Sequence, residues 1–373
     1  MRYIALEEAF SIPELAERQP TAEHQRLQKR MTPEYAARCG LRLPDFAEHR
    51  LAEMDDAGID IQVLSLTSPG LQVDIDAERA RDNARFANDY LAKAISENPD
   101  RFRGFAALPL QDPAAAVAEL ERAVTQDGFC GALVNDCITG PGGRYLDAPE
   151  YDELWAAVES LGVPLYLHPG APPADHWQVI EGRPELYGAT WSWAAEVSGH
   201  ALRILFGGVF DRHPGATMIL GHMGEFLPFQ RSRIDSRFAS TSLSATSTLR
   251  RTPSDYLGTN IVFTKSGVFS PAVMLGAVLG VGADALMFSI DYPYESSYDA
   301  VQGFEQTALS ATDREKIAHG TAERLLRIDY RLCNRRGSTP ARRHAATAHG
   351  VYRNQSGNRL STGFNARTAA AKR

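Results

Sequence analysis

Cysteine is scarce in this chain. The four in 373 residues, Cys39, Cys130, Cys137 and Cys333, include no Cys-x-x-Cys pair. That excludes a disulfide framework and a thiolate zinc site, and it suits a reducing compartment. No apolar run approaches the roughly 20 residues that span a bilayer, so no membrane partner is expected. The opening MRYIALEEAF breaks its apolar run with Glu7 and Glu8, so no secretory leader is expected and the predicted location is the cytoplasm. No glycine-rich turn follows this first apolar run, which argues against the phosphate cradle of an open, doubly wound sheet. Repeats at solenoid periods are absent as well.

Charge is short of one sign over most of the length. Residues 334–373 hold nine Lys or Arg and no Asp or Glu, so the net charge of −7 hides a much more acidic body. Residues 1–333 carry 30 basic against 46 acidic side chains, a net of −16, which argues against nucleic acid as a partner. The basic segment is rich in Ser, Thr, Ala, Gly and Asn. It is expected to be a mobile tail, or one that docks on a neighbouring subunit. Residues 1–330 are expected to form one domain and residues 331–373 the tail.

What the chain has is alternation. Runs rich in β-branched residues occur at Tyr3–Leu6, Ile61–Leu66, Phe102–Leu108, Cys130–Val134, Val163–His168, Thr217–His222, Asn260–Thr264 and Leu286–Asp291. Between them the apolar spacing turns helical, as in Phe46–Ala57, Ala77–Glu97, Pro113–Thr125, Glu150–Leu161, Ala194–Phe206 and Pro271–Leu279. Strands alternating with helices predict parallel strands, and eight such units predict a closed α/β barrel, the (β/α)₈ TIM-type fold. Residues 11–43 and 169–193 read as loop insertions on the face where strands end.

Several predicted strands end in an ionisable residue: Glu7 in IALE, His168 in VPLYLH, His222 in ATMILGH and Asp291 in LMFSID. Taken singly, each has an ordinary explanation. A histidine after a strand is more often a hydrogen-bonded structural residue, and an aspartate there often caps a helix or turn. In a parallel barrel, however, all these ends meet at one mouth. Two carboxylates and two imidazoles gathered there call for a compensating cation.

The pieces IALEEAF, NPDRFRGFAALPLQDP, GFCGALVND, PLYLHPG, GHMGE followed by RID, and SIDYPYES span roughly residues 3–330. Together they resemble the amidohydrolase superfamily, and within it the metal-dependent ortho-hydroxybenzoate decarboxylases. The wider superfamily usually carries His-x-His after the first strand, whereas this chain has Glu7-Glu8-Ala9. The resemblance puts Glu7 at the first ligand position and leaves the second to Ala9, with Glu8 pointing away by strand alternation. It implies one divalent metal ion on Glu7, His168 and Asp291, and no organic cofactor. An oxygen-rich set of this kind favours Mg²⁺ or Mn²⁺, with Zn²⁺ also compatible.

The resemblance further implies a small aromatic carboxylic acid as substrate and reversible loss of CO₂. Asp291 is the expected proton donor, His222 the second candidate, and Glu225 the partner of His222 in a dyad. Arg233 is expected to meet the anionic substrate, bound by a neighbouring subunit in one reading. Trp191 and Tyr294 are expected against its ring. For Arg233 a surface or intersubunit ion pair, and for the two aromatics simple loop packing, remain open. His200 reads as a buried structural residue and His213 as part of a turn. A homodimer or homotetramer is implied by likeness. The same ligands could serve a hydrolase or a decarboxylase of a non-phenolic acid, and a degenerate scaffold is the rival from another class.

Overall fold

The structure, a computed structural model, describes residues 1–18, 30–73, 75–138, 144–170 and 178–328. The expected tail, residues 331–373, and Trp177, with parts of both loop insertions, lie outside the described residues.

Every strand pairing is parallel. The strands are β1 (Ile4–Phe10), β2 (Ile61–Leu66), β3 (Phe102–Gly104), β4 (Ala106–Ala107), β5 (Ala132–Asn135), β6 (Leu165–His168), β7 (Met218–Leu220), β8 (Ile261–Thr264) and β9 (Leu286–Met287). They neighbour one another in chain order, β1 to β3 in one sheet and β4 to β9 in the next. β3 and β4 are two halves of one position, separated by Phe105. The Phe105 N–H donates to Leu64 O of β2 at 2.9 Å, and the Ala106 N–H donates to Gly131 O beside β5 at 2.9 Å. At the other seam Leu6 of β1 forms a parallel bridge with Ser289, and its N–H donates to Phe288 O at 3.3 Å. The eight expected strand positions thus follow one another around the TIM-type barrel of the sequence reading.

Alternation sorts the side chains into two cores. Ile4, Leu6, Ile61, Val63, Tyr166 and Ile219 fill the barrel interior. Ala5, Leu64, Phe102, Val134 and Leu165 face outward and pack under the helices. The helices begin and end where local chemistry directs. Ala77–Glu97 is capped by Asp76, whose side chain accepts the Arg79 N–H, and it buries Ala80, Ala84, Ala87 and Leu91 on one face. Pro113–Thr125 is capped by Asp112, with proline at its first turn. Glu48–Ala57 stops at Gly58, whose φ of 76° leaves the helical region.

Three of the strands that carry site residues end differently from the sequence reading: β7 stops at Leu220, so His222 lies two residues beyond it in a tight turn. β1 does not stop at Leu6 but runs on to Phe10, so Glu7 lies inside the strand. β9 covers only Leu286–Met287, because the Phe288 N–H turns away from the ladder to donate to Ile317 O at 2.8 Å. Asp291 therefore sits in the irregular segment beyond the strand.

Candidate active site

A bulge aims Glu7. Between Ala5 and Glu8, β1 has one residue more than the facing stretch Gln62–Leu64 of β2. Glu7 absorbs the extra length with φ of 67°. Its neighbours in sequence therefore do not take opposite faces. Leu6 packs in the barrel interior and Glu7 also points inward, at the mouth.

The Glu7 carboxylate is buried and its two oxygens differ. Oε2 accepts from the hydroxyls of Tyr166 and Ser266, and from Thr264 Oγ1 at 3.3 Å. Oε1 is buried and has no hydrogen-bond donor among the described residues. It faces the Nε2 atoms of His168 at 3.3 Å and His222 at 3.2 Å. Burial alone would raise the pKa of Glu7, but the two imidazoles and the Ser266 hydroxyl outweigh it and hold the value at about 2. Gly221 makes room for this arrangement, since a Cβ there would lie 2.5 Å from Glu7 Oε2.

The two histidines turn the same nitrogen toward Glu7 and tie the other one differently. His168 ends β6, in register with Asn135 of β5. Its Nδ1 lies 2.8 Å from both Asn135 Oδ1 and Pro169 O, two neutral acceptors, so Nδ1 carries the proton. His222 Nδ1 lies 2.6 Å from Glu225 Oε1, a carboxylate. Burial disfavours charge on His222, yet Glu7, Glu225 and Asp291 together raise its pKa well above the usual histidine range. The one-turn spacing from His222 to Glu225 is realised by a left-handed turn. His222, Met223, Glu225 and Phe226 have φ of 46°, 60°, 49° and 73°, and the helix Leu227–Ala239 begins only afterwards.

Asp291 completes the cluster, with Oδ2 3.8 Å from His222 Nε2 and φ of 80°. The ligand atoms of Glu7, His168 and His222 all lie within 4.8 Å of one another. Left-handed backbone costs a non-glycine residue on the order of 1–3 kcal/mol. Glu7, His222, Glu225 and Asp291 all adopt it, so several of the fold's strained positions gather around this cluster.

Three contributors escape a reading by strand ends alone. Glu8 does point away from the cluster, but it is fully buried and accepts the N–H groups of Ile290 at 3.0 Å and Tyr292 at 3.2 Å, gripping the backbone on both sides of Asp291. Burial raises its pKa well above the carboxylate range, against those two bonds and the Arg50 charge. Tyr166 and Ser266 hold Glu7. Their signal was the period of two, since each faces inward like His168 or Thr264 two positions away.

The remaining predicted residues spread over the rim. The Tyr294 hydroxyl is 2.5 Å from Thr67 Oγ1, and its carbonyl accepts from Tyr35 and Arg38. Trp191 is exposed, with its ring centroid 5.6 Å from that of Phe226. Arg233 is exposed on the helix Leu227–Ala239 with no ion pair among the described residues. His200 is buried and structural, as expected, and His213 is anchored to Asp152.

The amidohydrolase family model matches residues 35–328. The chain belongs to the amidohydrolase family. The resemblance carried by IALEEAF, GHMGE and SIDYPYES therefore holds, down to its branch. This amidohydrolase is 42% identical over 329 residues to gamma-resorcylate decarboxylase of Rhizobium sp. (strain MTP-10005), covering 87% of this chain and 98% of that one. It is similar to a crystal structure of 2,6-dihydroxybenzoate decarboxylase complexed with 2,6-dihydroxybenzoate, with TM-score 0.82 and 41% identity, covering 88% of this chain and 100% of that one. It is also similar to the dihydroxybenzoic acid decarboxylase of Polaromonas sp. JS666 with bound manganese and the inhibitor 2-nitroresorcinol. There the TM-score is 0.82 and the identity 39%, covering 87% of this chain and 96% of that one.

Proposed function

We propose that this amidohydrolase removes CO₂ from an ortho-hydroxybenzoate of the 2,6-dihydroxybenzoate type, using one divalent metal ion. The observation that carries the reading is Glu7 Oε1. A buried carboxylate oxygen with no donor among the described residues, facing the Nε2 atoms of His168 and His222, fits a cation. Manganese in the Polaromonas relative agrees with the oxygen-rich donor set, and no organic cofactor is called for.

Glu7, His168 and Asp291 would hold the ion, and His222 stays beside it as the proton carrier. The division follows from what each Nδ1 meets. The neutral carbonyls on His168 fix its orientation without adding basicity, whereas the Glu225 carboxylate stabilises a proton on His222. When bound, the metal supplies a charge that orients the substrate carboxylate and phenol and favours the phenolate. The protein's own part is proton handling. His222, backed by Glu225, accepts the phenolic proton. Asp291, whose Oδ2 lies 3.8 Å from His222 Nε2, takes up that proton and passes it to the ring carbon that bears the carboxylate. The bond from that carbon to the carboxylate then breaks, CO₂ leaves, and its electron pair restores the aromatic ring. Tyr294 and Trp191 border the ring on this reading.

We take the enzyme to work as a dimer or larger, in the cytoplasm. Trp191, Phe226 and Phe229 are 43%, 46% and 48% exposed, an aromatic group suited to a second copy. Arg233 lies one helical turn from Phe229 on the same face, which supports the reading in which it meets a substrate bound by the partner. Among the described residues Cys39, Cys130 and Cys137 are free and buried, as suits a reducing compartment, and no helix is long and apolar enough to cross a membrane.

The test is CO₂ release from a panel of ortho-hydroxybenzoates with protein as purified, after chelation, and after adding back Mn²⁺, Mg²⁺ or Zn²⁺. Release that stops on chelation and returns with one metal supports the proposal. No release from any phenolic acid by metal-loaded protein overturns it in favour of a hydrolase or a non-phenolic substrate.

A further inference from the structure

A second group of metal-type ligands lies behind β5, outside the cluster around Glu7. It comprises Asp136, Cys137 and Glu196, whose ligand atoms lie within 4.8 Å of one another. Asp136 and Cys137 directly follow β5, and Glu196 comes from the helix Ser192–Phe206. Asp136 is 0% and Cys137 1% exposed, while Glu196 is half-buried and opens toward solvent.

The hydrogen bonds around the group leave one atom over. His200 Nε2 accepts the Leu146 N–H at 2.8 Å, so this imidazole is neutral and its Nδ1–H donates to Asp136 Oδ1 at 2.6 Å. The Tyr145 hydroxyl donates to Glu196 Oε1 at 2.6 Å. Arg203 spends its charge on Asp147, with two bonds of 3.0 Å. Asp136 Oδ2 is left buried with no donor among the described residues. Two carboxylates and a thiol thus lie together, and one oxygen of Asp136 is desolvated with no donor among the described residues. A buried polar atom left without a partner is costly, so one that persists calls for an explanation. The arrangement repeats the sign seen at Glu7, where a buried oxygen without a donor faces neighbouring ligand atoms. Asp136 also has φ of 61°, a left-handed backbone that a non-glycine residue rarely adopts.

We propose that Asp136, Cys137 and Glu196 form a second divalent metal site, of zinc type rather than magnesium type. The chemistry differs from that of the first site because a sulfur is present. A thiolate selects a borderline or soft ion, whereas the all-oxygen-and-imidazole set around Glu7 does not demand one. Binding forms a bond from sulfur to metal, and the Cys137 Sγ–H bond gives up its proton to solvent. Asp136 contributes an oxygen while His200 steadies the carboxylate, and Tyr145 does the same for Glu196. The site is coupled to the catalytic one by the chain itself. Asn135, one residue before Asp136, holds Nδ1 of His168 at 2.8 Å. Its role is to lock the end of β5 and so the orientation of His168.

The test uses the full-length protein stripped with chelator and titrated with Co²⁺ alone. Two ions per chain are expected, one of them giving the near-ultraviolet charge-transfer absorption of a cobalt thiolate. Cys137→Ser should abolish that band and remove one ion per chain, while the other ion binds unchanged. Glu196→Gln, a milder change near the surface, should weaken the cobalt thiolate site at least tenfold with the band retained at saturation. One ion per chain without a thiolate band, or a band that survives Cys137→Ser, overturns the proposal. Because the band requires sulfur and the first site has none, failure here leaves the catalytic reading intact.

Discussion

Gly221 occupies the position where the Glu7 carboxylate needs empty space: a Cβ built on it would stand 2.5 Å from Oε2 and 3.0 Å from Oε1. A free glutamate would swing aside, but this one is pinned by Tyr166, Ser266 and Thr264. Gly221→Ala therefore pushes on the carboxylate that faces both histidines. The expected result is at least a tenfold weaker hold on Mn²⁺, read by isothermal titration, with a fall in melting temperature of only a few degrees. Unchanged Mn²⁺ affinity would show that Glu7 is not held against the metal.

The different partners of the two histidines separate their roles. His168→Asn should cost metal, so that the purified protein carries well under one ion per chain. His222→Asn and Glu225→Gln should keep the ion and lose turnover, by about 10²–10⁴-fold for a proton-transfer group. Metal content and kcat measured side by side distinguish the cases. Loss of metal from His222→Asn would move that residue into the ligand set.

Lys265 offers a test that does not involve the metal. It is buried behind β8, where Nζ donates to Ser289 O and Ala300 O at 3.2 Å and lies over the rings of Phe269 and Phe288. Burial lowers its pKa to about 7, against the opposing pull of Glu8. The sign follows from proton counting. Between about pH 7 and the unfolded value of 10.5 the unfolded chain binds the proton and the folded one does not, so stability rises with pH across that window. Below pH 7 the folded protein carries the whole cost, on the order of 5 kcal/mol. Lys265→Met should raise the melting temperature at pH 6.5 and lose that advantage by pH 9.5, where the neutral amine keeps its two bonds in the wild type. A difference independent of pH would mean that Lys265 stays charged in the fold.

Strand order and the positions of Glu7, His168, His222 and Asp291 were legible because they depend on short-range pattern: period two along a strand and a polar residue where it ends. The helices Ala77–Glu97 and Pro113–Thr125 fall where the spacing put them, since capping aspartates mark both starts. What stayed hidden depends on backbone conformation that no residue type announces. The bulge in β1 is carried by a glutamate with φ of 67° rather than by a glycine. The turn from His222 to Phe226 takes left-handed angles at residues that ordinarily avoid them. Glu8 shows the same limit. Alternation told that it points away from Glu7, but its grip on the N–H groups flanking Asp291 is a contact between chain segments more than 280 residues apart.

Arg233 allows the assembly and the chemistry to be tested together. It is exposed on the helix face that also presents Phe229, so on the proposed dimer it serves the partner's substrate rather than its own. Arg233→Ala should then raise KM at least tenfold and change kcat little, because a distant ion pair contributes to binding more than to the proton transfer. The decisive measurement mixes two crippled chains by co-expression, one Arg233→Ala and the other His222→Asn. In a two-fold dimer each mixed pair has one site with both defects and one with neither. Random pairing makes half the dimers mixed, so kcat/KM should recover to about a quarter of the wild-type value. If Arg233 acts within its own chain, every site in the mixture keeps one defect and nothing is recovered. If the protein is a monomer in solution, the mixture again shows only the residual kcat/KM of its Arg233→Ala chains, and light scattering on the wild type tells the two failures apart.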